Sequence, residues 1–190
     1  MKKVSLFVLA CFLFTNWVFA DVITFDENQA LDLTGQISEG YGGLNWDNFF
    51  IINESEIPEL NSENGAVSGE WAATTEWGII SAVDDQVFDF TGAYLSGIED
   101  DGLLVNVIGY KDFEEMYATS VVVNTEETKW FEFDFNQIDE LVFWAEGSSP
   151  YNSWNFLMDN FTYQVPEPAI VTCIGISLLF LGGFRIIKRA

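Results

Sequence analysis

The sequence predicts an all-β protein, a two-sheet antiparallel β-sandwich of the jelly-roll kind. Three observations carry that expectation. Aromatic residues are abundant, with 18 Phe, 7 Trp and 6 Tyr in 190 residues, and β-branched residues accompany them. Gly, Asp and Asn punctuate the chain at short intervals. No long stretch repeats its apolar residues with the period of a helix. About ten short strands at that spacing pack as two sheets.

The elements follow in order. Val22 to Phe25 is the first strand. Gly40-Tyr41-Gly42-Gly43 makes a turn, and Leu44 to Ile52 reads as one aromatic-rich strand. Residues 54–65 are polar, contain Pro58 and read as a surface loop. Val67 to Ala73 and Trp77 to Ala82 are short strands. Gln86 to Phe90 and Gly92 to Leu95 flank Thr91. Leu103 to Tyr110 and Tyr117 to Val123 form a hairpin across residues 111–115. Trp130 to Phe135 alternates, with Phe131, Phe133 and Phe135 on one face and Glu132 and Asp134 on the other. Ile138 to Trp144 and Asn155 to Tyr163 complete the set. Trp46 and Trp71 sit in apolar strand patterns and are expected in the core.

Both ends of the chain read as targeting segments. Met1 to Ala20 has the parts of a secretory signal peptide: Lys2 and Lys3, the apolar run Val4 to Phe14, and a Val18-Phe19-Ala20 cleavage site. Cleavage leaves Asp21 as the new N-terminus; an uncleaved anchor is the alternative. At the other end Pro166 and Pro168 stop the last strand. Sixteen uncharged residues follow, Ala169 to Phe184. As a helix they reach roughly 24 Å, and roughly 28 Å if continued through Ile187, against a hydrocarbon core of about 30 Å. Arg185, Lys188 and Arg189 come next, and that bias keeps the C-terminus cytoplasmic and the rest outside. The expected organisation is a signal peptide over 1–20, a sandwich domain over 21–164 and a tail over 165–190. Both cysteines, Cys11 and Cys173, fall in the apolar ends, so the domain carries no disulfide.

The triplet Pro166-Glu167-Pro168, the apolar run and the basic Arg185, Lys188 and Arg189 resemble the PEP-CTERM sorting signal of Gram-negative bacteria. That resemblance implies an exosortase partner that cuts near the triplet, after the secretion translocon and signal peptidase have acted. It places the product at the envelope surface or in an extracellular, biofilm-associated matrix. An ordinary single-span tail anchor is the alternative.

A second resemblance covers most of 21–164. It rests on Ile23-Thr24-Phe25-Asp26, on Gly40-Tyr41, Gly43-Leu44, Trp46 and Asn48-Phe49, on Gly109-Tyr110 and Asp112, on Phe133, Phe135, Ile138, Leu141 and Phe143, and on Met158-Asp159-Asn160-Phe161-Thr162-Tyr163. These resemble exported sandwich domains carried by PEP-CTERM proteins, which are similar in turn to carbohydrate-binding jelly rolls. Asn160 stands where a second Asp is frequent, and Lys111 and Phe113-Glu114 replace a shorter acidic or Gly-rich turn. The resemblance implies an exopolysaccharide as partner.

Charge and composition exclude whole classes of chemistry. Residues 21–165 hold two basic residues, Lys111 and Lys129, against 29 acidic ones, a formal charge of −27. Such a surface repels nucleic acid and anionic lipid, and draws counter-ions. Solubility alone also accounts for it. The chain has no histidine, which removes His-based triads and His-based zinc or iron sites. No Gly-rich phosphate loop precedes a helix. Catalysis is left with carboxylates, as in a glycoside hydrolase or lyase, and Glu70, Glu76 and Glu146 beside Trp71, Trp77 and Trp144 are the candidates.

Two sites are expected. Asp26 and Asp159, on the first and last strands, are the candidate ligands of a calcium ion. Asp159 falls in the alternation register of Leu157, Phe161 and Tyr163, an expensive position for an unpartnered carboxylate. The alternative is that Asp159 accepts backbone hydrogen bonds at a strand bend. Asp84-Asp85 and Glu99 to Gly102 read as solvated turns. For a glycan, Tyr151 and Trp154 in a Gly/Ser/Pro loop are the candidate rings, with end-capping of the sandwich as the alternative. The expectation is a non-enzymatic exported surface or matrix protein. The rivals are the carboxylate enzyme and a periplasmic domain that stays tethered to the inner membrane.

Overall fold

Two antiparallel sheets form, and they pack face to face. The structure is a computed structural model and describes residues 20–26, 35–56, 65–147 and 155–165, all within the compact unit Ala20–Val165. The body of the signal peptide, Tyr151, Trp154 and the tail from Pro166 to Ala190 therefore lie outside the described residues. Among the described residues no helix is long and apolar enough to cross a membrane.

The strands are β1 (Asp21–Ile23), β2 (Leu44–Asp47), β3 (Phe50–Asn53), β4 (Trp71–Thr75), β5 (Trp77–Ala82), β6 (Phe88–Gly97), β7 (Leu103–Lys111), β8 (Glu114–Val123), β9 (Lys129–Ile138), β10 (Glu140–Glu146) and β11 (Phe156–Gln164). Sheet 1 has the order β3-β4-β11-β6-β9, with β1 also on β11. Sheet 2 has the order β2-β5-β10-β7-β8. The first and last strands pair, Asp21 opposite Tyr163 and Ile23 opposite Phe161.

Four sequence readings change. Leu44 to Ile52 is not one strand. The chain leaves sheet 2 after Asp47 and enters sheet 1 at Phe50. Asn48 makes the crossing with φ 61°, a left-handed conformation that Asn tolerates better than most residues. Its carbonyl accepts from Thr75 Oγ1 at 2.8 Å, and its Nδ2 donates to the Trp77 carbonyl. Residues 67–70 are a loop, and β4 starts only at Trp71. The two pieces around Thr91 are one ten-residue strand, β6. Ile138 ends β9 instead of opening β10.

The core lies between the sheets. Each strand contributes alternate residues: Leu103, Val105 and Val107 from β7, Leu141, Phe143 and Ala145 from β10, and Phe88 and Phe90 from β6 are all buried. Five rings close a circuit that joins the two sheets. Trp46 meets Phe49 (5.4 Å between centroids), Phe49 meets Phe143 (6.1 Å), Phe143 meets Phe90 (6.1 Å), Phe90 stacks on Phe161 (4.7 Å) and Phe161 returns to Trp46 (5.3 Å). Each such contact adds about 0.5–1.5 kcal/mol beyond area burial. Gly78 lets Phe49 lie against β5, since a Cβ there would stand 2.5 Å from its ring. Trp46 is core as expected; Trp71 is half-buried and packs against the core.

The expected alternation in β9 is present. Phe135 is buried, with Phe131 and Phe133 packed on the core, while Glu132 and Asp134 are exposed. Two register breaks against β6 follow, where Asp134 (φ 53°) and Gln137 (φ 58°) turn left-handed.

A third break decides the position of Asp159. β11 slips against β6 between Asp159 and Thr162, where Asn160 has φ 49°. The extra residue inverts the pleat. Phe156 and Met158, then Phe161 and Tyr163, face the main core. Leu157 belongs to a small second cluster with Ala72 and Ile98 on the opposite face. Asp159, two residues on with no break between them, shares that face. It does not share the register of Phe161 and Tyr163, as strict alternation implies.

Candidate functional site

The outward face of sheet 2 is the most ligand-like surface among the described residues. Its side chains come from every second position of five strands, so register decides which ones meet. Trp77 on β5 lies opposite Trp144 on β10, Trp144 opposite Asn106 on β7, and Asn106 opposite Ser120 on β8. One row thus crosses four strands, with two aromatic residues followed by an amide and a hydroxyl. At roughly 4.8 Å per strand it spans roughly 14 Å.

Trp77 is 45% exposed and Trp144 half-buried. The Trp144 Nε1–H donates to Glu146 Oε1 at 3.1 Å, which fixes its indole edge. Ser120 Oγ–H donates to Asn106 Oδ1 at 2.6 Å. Asn106 Nδ2 is buried and has no hydrogen-bond partner among the described residues. An unanswered donor costs about 1–3 kcal/mol, so its place beside the tryptophans is informative.

The next row along is apolar. Ile79, Val142 and Ile108 are half-buried and directly opposed, with exposed Asp47 and Ala118 at its ends. Beyond it lie Asn45, Ser81, Glu140 and Tyr110. At the β2 edge the face runs into a cleft of about 400 Å³ lined by Gln36, Glu39, Asn45 and Asp47 among others. A face that mixes exposed aromatic and aliphatic surface with a few fixed polar groups has the makeup of a binding surface.

The two carboxylates singled out from sequence meet the same loop on the other side of the sandwich. Asp159 is 0% exposed. Its Oδ2 accepts the N–H of Val67 at 2.7 Å and of Ser68 at 2.8 Å, and its Oδ1 accepts the N–H of Asn160 at 2.6 Å. The Ser68 hydroxyl lies 3.2 Å from Oδ2. Burial pushes the Asp159 pKa above its usual 3.8, and the hydrogen bonds from Ser68, Asn160 and Val67 offset this only in part. Asp26 accepts from the Glu70 N–H at 3.3 Å. Gly69, at φ 58°, admits it: a Cβ there would sit 1.9 Å from Asp26 Oδ1.

This is a staple for loop 65–70. The donors that surround Asp159 answer its charge with N–H and O–H groups, and a cation would have to displace them. Among the described residues no group of three or more Asp, Glu, Cys or His is placed to hold a metal ion. In this arrangement Asp159 accepts backbone hydrogen bonds at a strand bend.

Glu70, Glu76 and Glu146 are exposed, so none lies in the apolar setting that a glycosidase's general acid requires. Ala20 and Asp21 lie at the exposed start of β1. Sequence reasoning missed the row because its four residues are far apart in the chain. The signal for it was weak but present: Trp77, Asn106, Ser120 and Trp144 each sit at an outward position of a strand.

No protein-family model matches the chain, and no curated protein is similar to it in sequence. Among solved structures, the chain is similar to TmCBM61 in complex with β-1,4-galactotriose, at 14% identity over 70% of this chain and 92% of that one, with a TM-score of 0.44. It is similar to the CBM22-1 xylan-binding domain of Paenibacillus barcinonensis Xyn10C, at 14% identity over 79% and 97% of the two chains, with a TM-score of 0.40. It is also similar to the C-terminal family 22 carbohydrate-binding module of Clostridium thermocellum Xyn10B, at 14% identity over 72% and 98%, with a TM-score of 0.35.

Proposed function

We propose that this chain is an exported, non-catalytic polysaccharide-binding protein that holds its ligand across the outward face of sheet 2. One observation carries the reading: the Trp77–Trp144–Asn106–Ser120 row, two aromatic surfaces for the apolar faces of sugar rings, continued by groups that pair with hydroxyls. The fold is read as a jelly roll, with the pairing of β1 and β11 in support.

Export and sorting rest on the sequence. Met1 to Ala20 is removed as a signal peptide, and an exosortase acts on Pro166-Glu167-Pro168. The domain then goes to the envelope surface or an exopolysaccharide matrix. Intact mass of the native protein, with and without the exosortase, tests both cuts. Retention of the tail from Pro166 to Ala190 in the mature protein would leave a tethered periplasmic domain instead.

Binding is tested by affinity electrophoresis of the full chain in gels containing neutral polysaccharides. Retardation without release of reducing ends is the expected result. Trp77→Ala and Trp144→Ala should each weaken it by roughly tenfold or more, as aromatic anchors do. Reducing ends that vanish with a single Glu→Gln change would make the protein a hydrolase and overturn the reading.

A further inference from the structure

We propose that the polysaccharide held across sheet 2 is one that carries protonated amines, a polymer of amino sugars without their acyl groups. This names the ligand class of the Trp77–Trp144–Asn106–Ser120 row and rests on that reading. Trp144 and Glu146 stand two residues apart on β10, both at outward positions, so they share one face. The Trp144 Nε1–H donates to Glu146 Oε1 at 3.1 Å, and Glu146 is exposed. A carboxylate is thus fixed at the edge of a ligand-facing indole. It has two oxygens and about four acceptor sites, of which the indole takes one. An ammonium group is attracted both by a carboxylate and by the face of an indole.

The rest of the face has the same sign. Glu76 is exposed and precedes Trp77 in the chain. Its carbonyl accepts the Ala145 N–H at 2.8 Å, which sets it beside the end of β10 that carries Glu146. Asp47 ends the apolar row, and Glu140 lies one row further. Glu39 joins Asp47 in the lining of the adjoining cleft. Among the described residues no Lys or Arg stands at an outward position of this sheet. Lys111 is the single basic residue in its strands, and it has the parity of the core-facing Val105 and Val107. Lys129, the other basic residue of the domain, is on sheet 1 and pairs with Glu127.

This pattern separates three classes of polymer. Chains bearing uronate or sulfate groups are repelled, at contact by these carboxylates and at a distance by the formal charge of −27. A neutral chain strips water from the carboxylates and returns only ordinary hydroxyl hydrogen bonds. A chain of protonated amines returns charge-assisted bonds, which are roughly twice as strong. Trp77, at 45% exposure, and Trp144 add aromatic surface to the same encounter. The acidic field gathers such a polymer, and the tryptophan pair decides where it settles.

Solubility accounts for acidic residues spread over the whole surface. It does not account for a carboxylate held on the indole of a ligand-facing tryptophan. Glu146→Gln isolates the charge from the positioning. The glutamine side chain still offers an oxygen to the Trp144 Nε1–H, so the indole keeps its partner while the charge is lost.

The test is titration calorimetry on the full chain in mild detergent with oligomers of equal length: β-1,4-linked glucosamine, its fully N-acetylated counterpart, and lysine. The glucosamine oligomer should bind at least about tenfold more tightly than the acetylated one, and the preference should shrink as salt rises. Glu146→Gln should weaken the glucosamine oligomer roughly threefold to fivefold, the worth of one partly screened ion pair, and leave the acetylated one unchanged. Glu132→Gln, exposed on β9 of the other sheet, should change neither. Trp77→Ala and Trp144→Ala should weaken both sugars. Equal binding of the two sugars would overturn the amine and leave a neutral polysaccharide as the ligand. An equal loss with Glu132→Gln would reduce the preference to the general field of the domain and overturn it too. A lysine oligomer that binds as tightly, with the same dependence on Trp77, would make the ligand a basic peptide instead. Sugars that bind equally well to Trp77→Ala and Trp144→Ala would take down the row itself as the site.

Discussion

The carboxylate of Asp159 accepts the backbone N–H of Val67 at 2.7 Å, across 92 residues of sequence. Together with the Ser68 N–H it ties loop 65–70 down onto sheet 1. A carboxylate is the right group for this because two oxygens accept several N–H donors at once.

Asp159→Asn keeps the shape but presents an NH₂ where one oxygen accepted. The expected cost is about 1–3 kcal/mol, the penalty for orphaning buried donors, even though a buried charge is removed. The pH dependence has a definite sign. Burial raises the Asp159 pKa above 3.8, so in that window the folded state binds more proton than the unfolded chain. The contribution of Asp159 to stability is full below 3.8 and is lost as pH rises through the raised value. The wild-type advantage over Asp159→Asn should therefore grow on acidification, measured by urea unfolding at several pH values. An advantage that shrinks on acidification would refute this account.

Gly69→Ala should be more damaging than a surface substitution normally is. The residue holds φ 58°, and its Cβ would sit 1.9 Å from Asp26 Oδ1. The left-handed conformation alone costs roughly 1–2 kcal/mol. Asp26→Ala removes the clash and only a 3.3 Å hydrogen bond. The double variant should then lose less than the sum of the two single losses, by thermal melts of all four proteins.

Calcium should leave the melting temperature unchanged relative to chelator at physiological ionic strength. The donors around Asp159 already occupy both of its oxygens. A rise in melting temperature that saturates with calcium, and is lost in Asp159→Asn, would mean that the loop rearranges around an ion.

What could be read from the sequence, and what could not, divides along a physical line. Strand-forming composition and the period of two in β9 are local, and both are present in the fold. Leu44 to Ile52 misled because aromatic residues continue through a sheet-to-sheet crossing whose only local mark is Asn48. Asp159 misled because one left-handed residue, Asn160, changes the parity of everything after it. The Trp77–Trp144–Asn106–Ser120 row was hidden for a different reason. It is made by pairings between distant strands, and no single segment records which residue will lie opposite which.

The last prediction separates a binding residue from a structural one. Asn106 Nδ2 is buried and unanswered within the described fold, which costs the free protein about 1–3 kcal/mol. Replacing the amide by an apolar group of similar size removes that cost, together with the bond from Ser120. Asn106→Leu should therefore melt at the same temperature as the wild type or higher. If the row holds polysaccharide, the same variant should bind more weakly, because the exposed Ser120 loses the amide oxygen that orients its hydroxyl. A residue that served only the fold would give the reverse pattern, with stability falling and retardation in the polysaccharide gel unchanged. Thermal melts and affinity electrophoresis on the same preparation decide between the two. A variant that is both less stable and equally well retarded would remove Asn106 from the site.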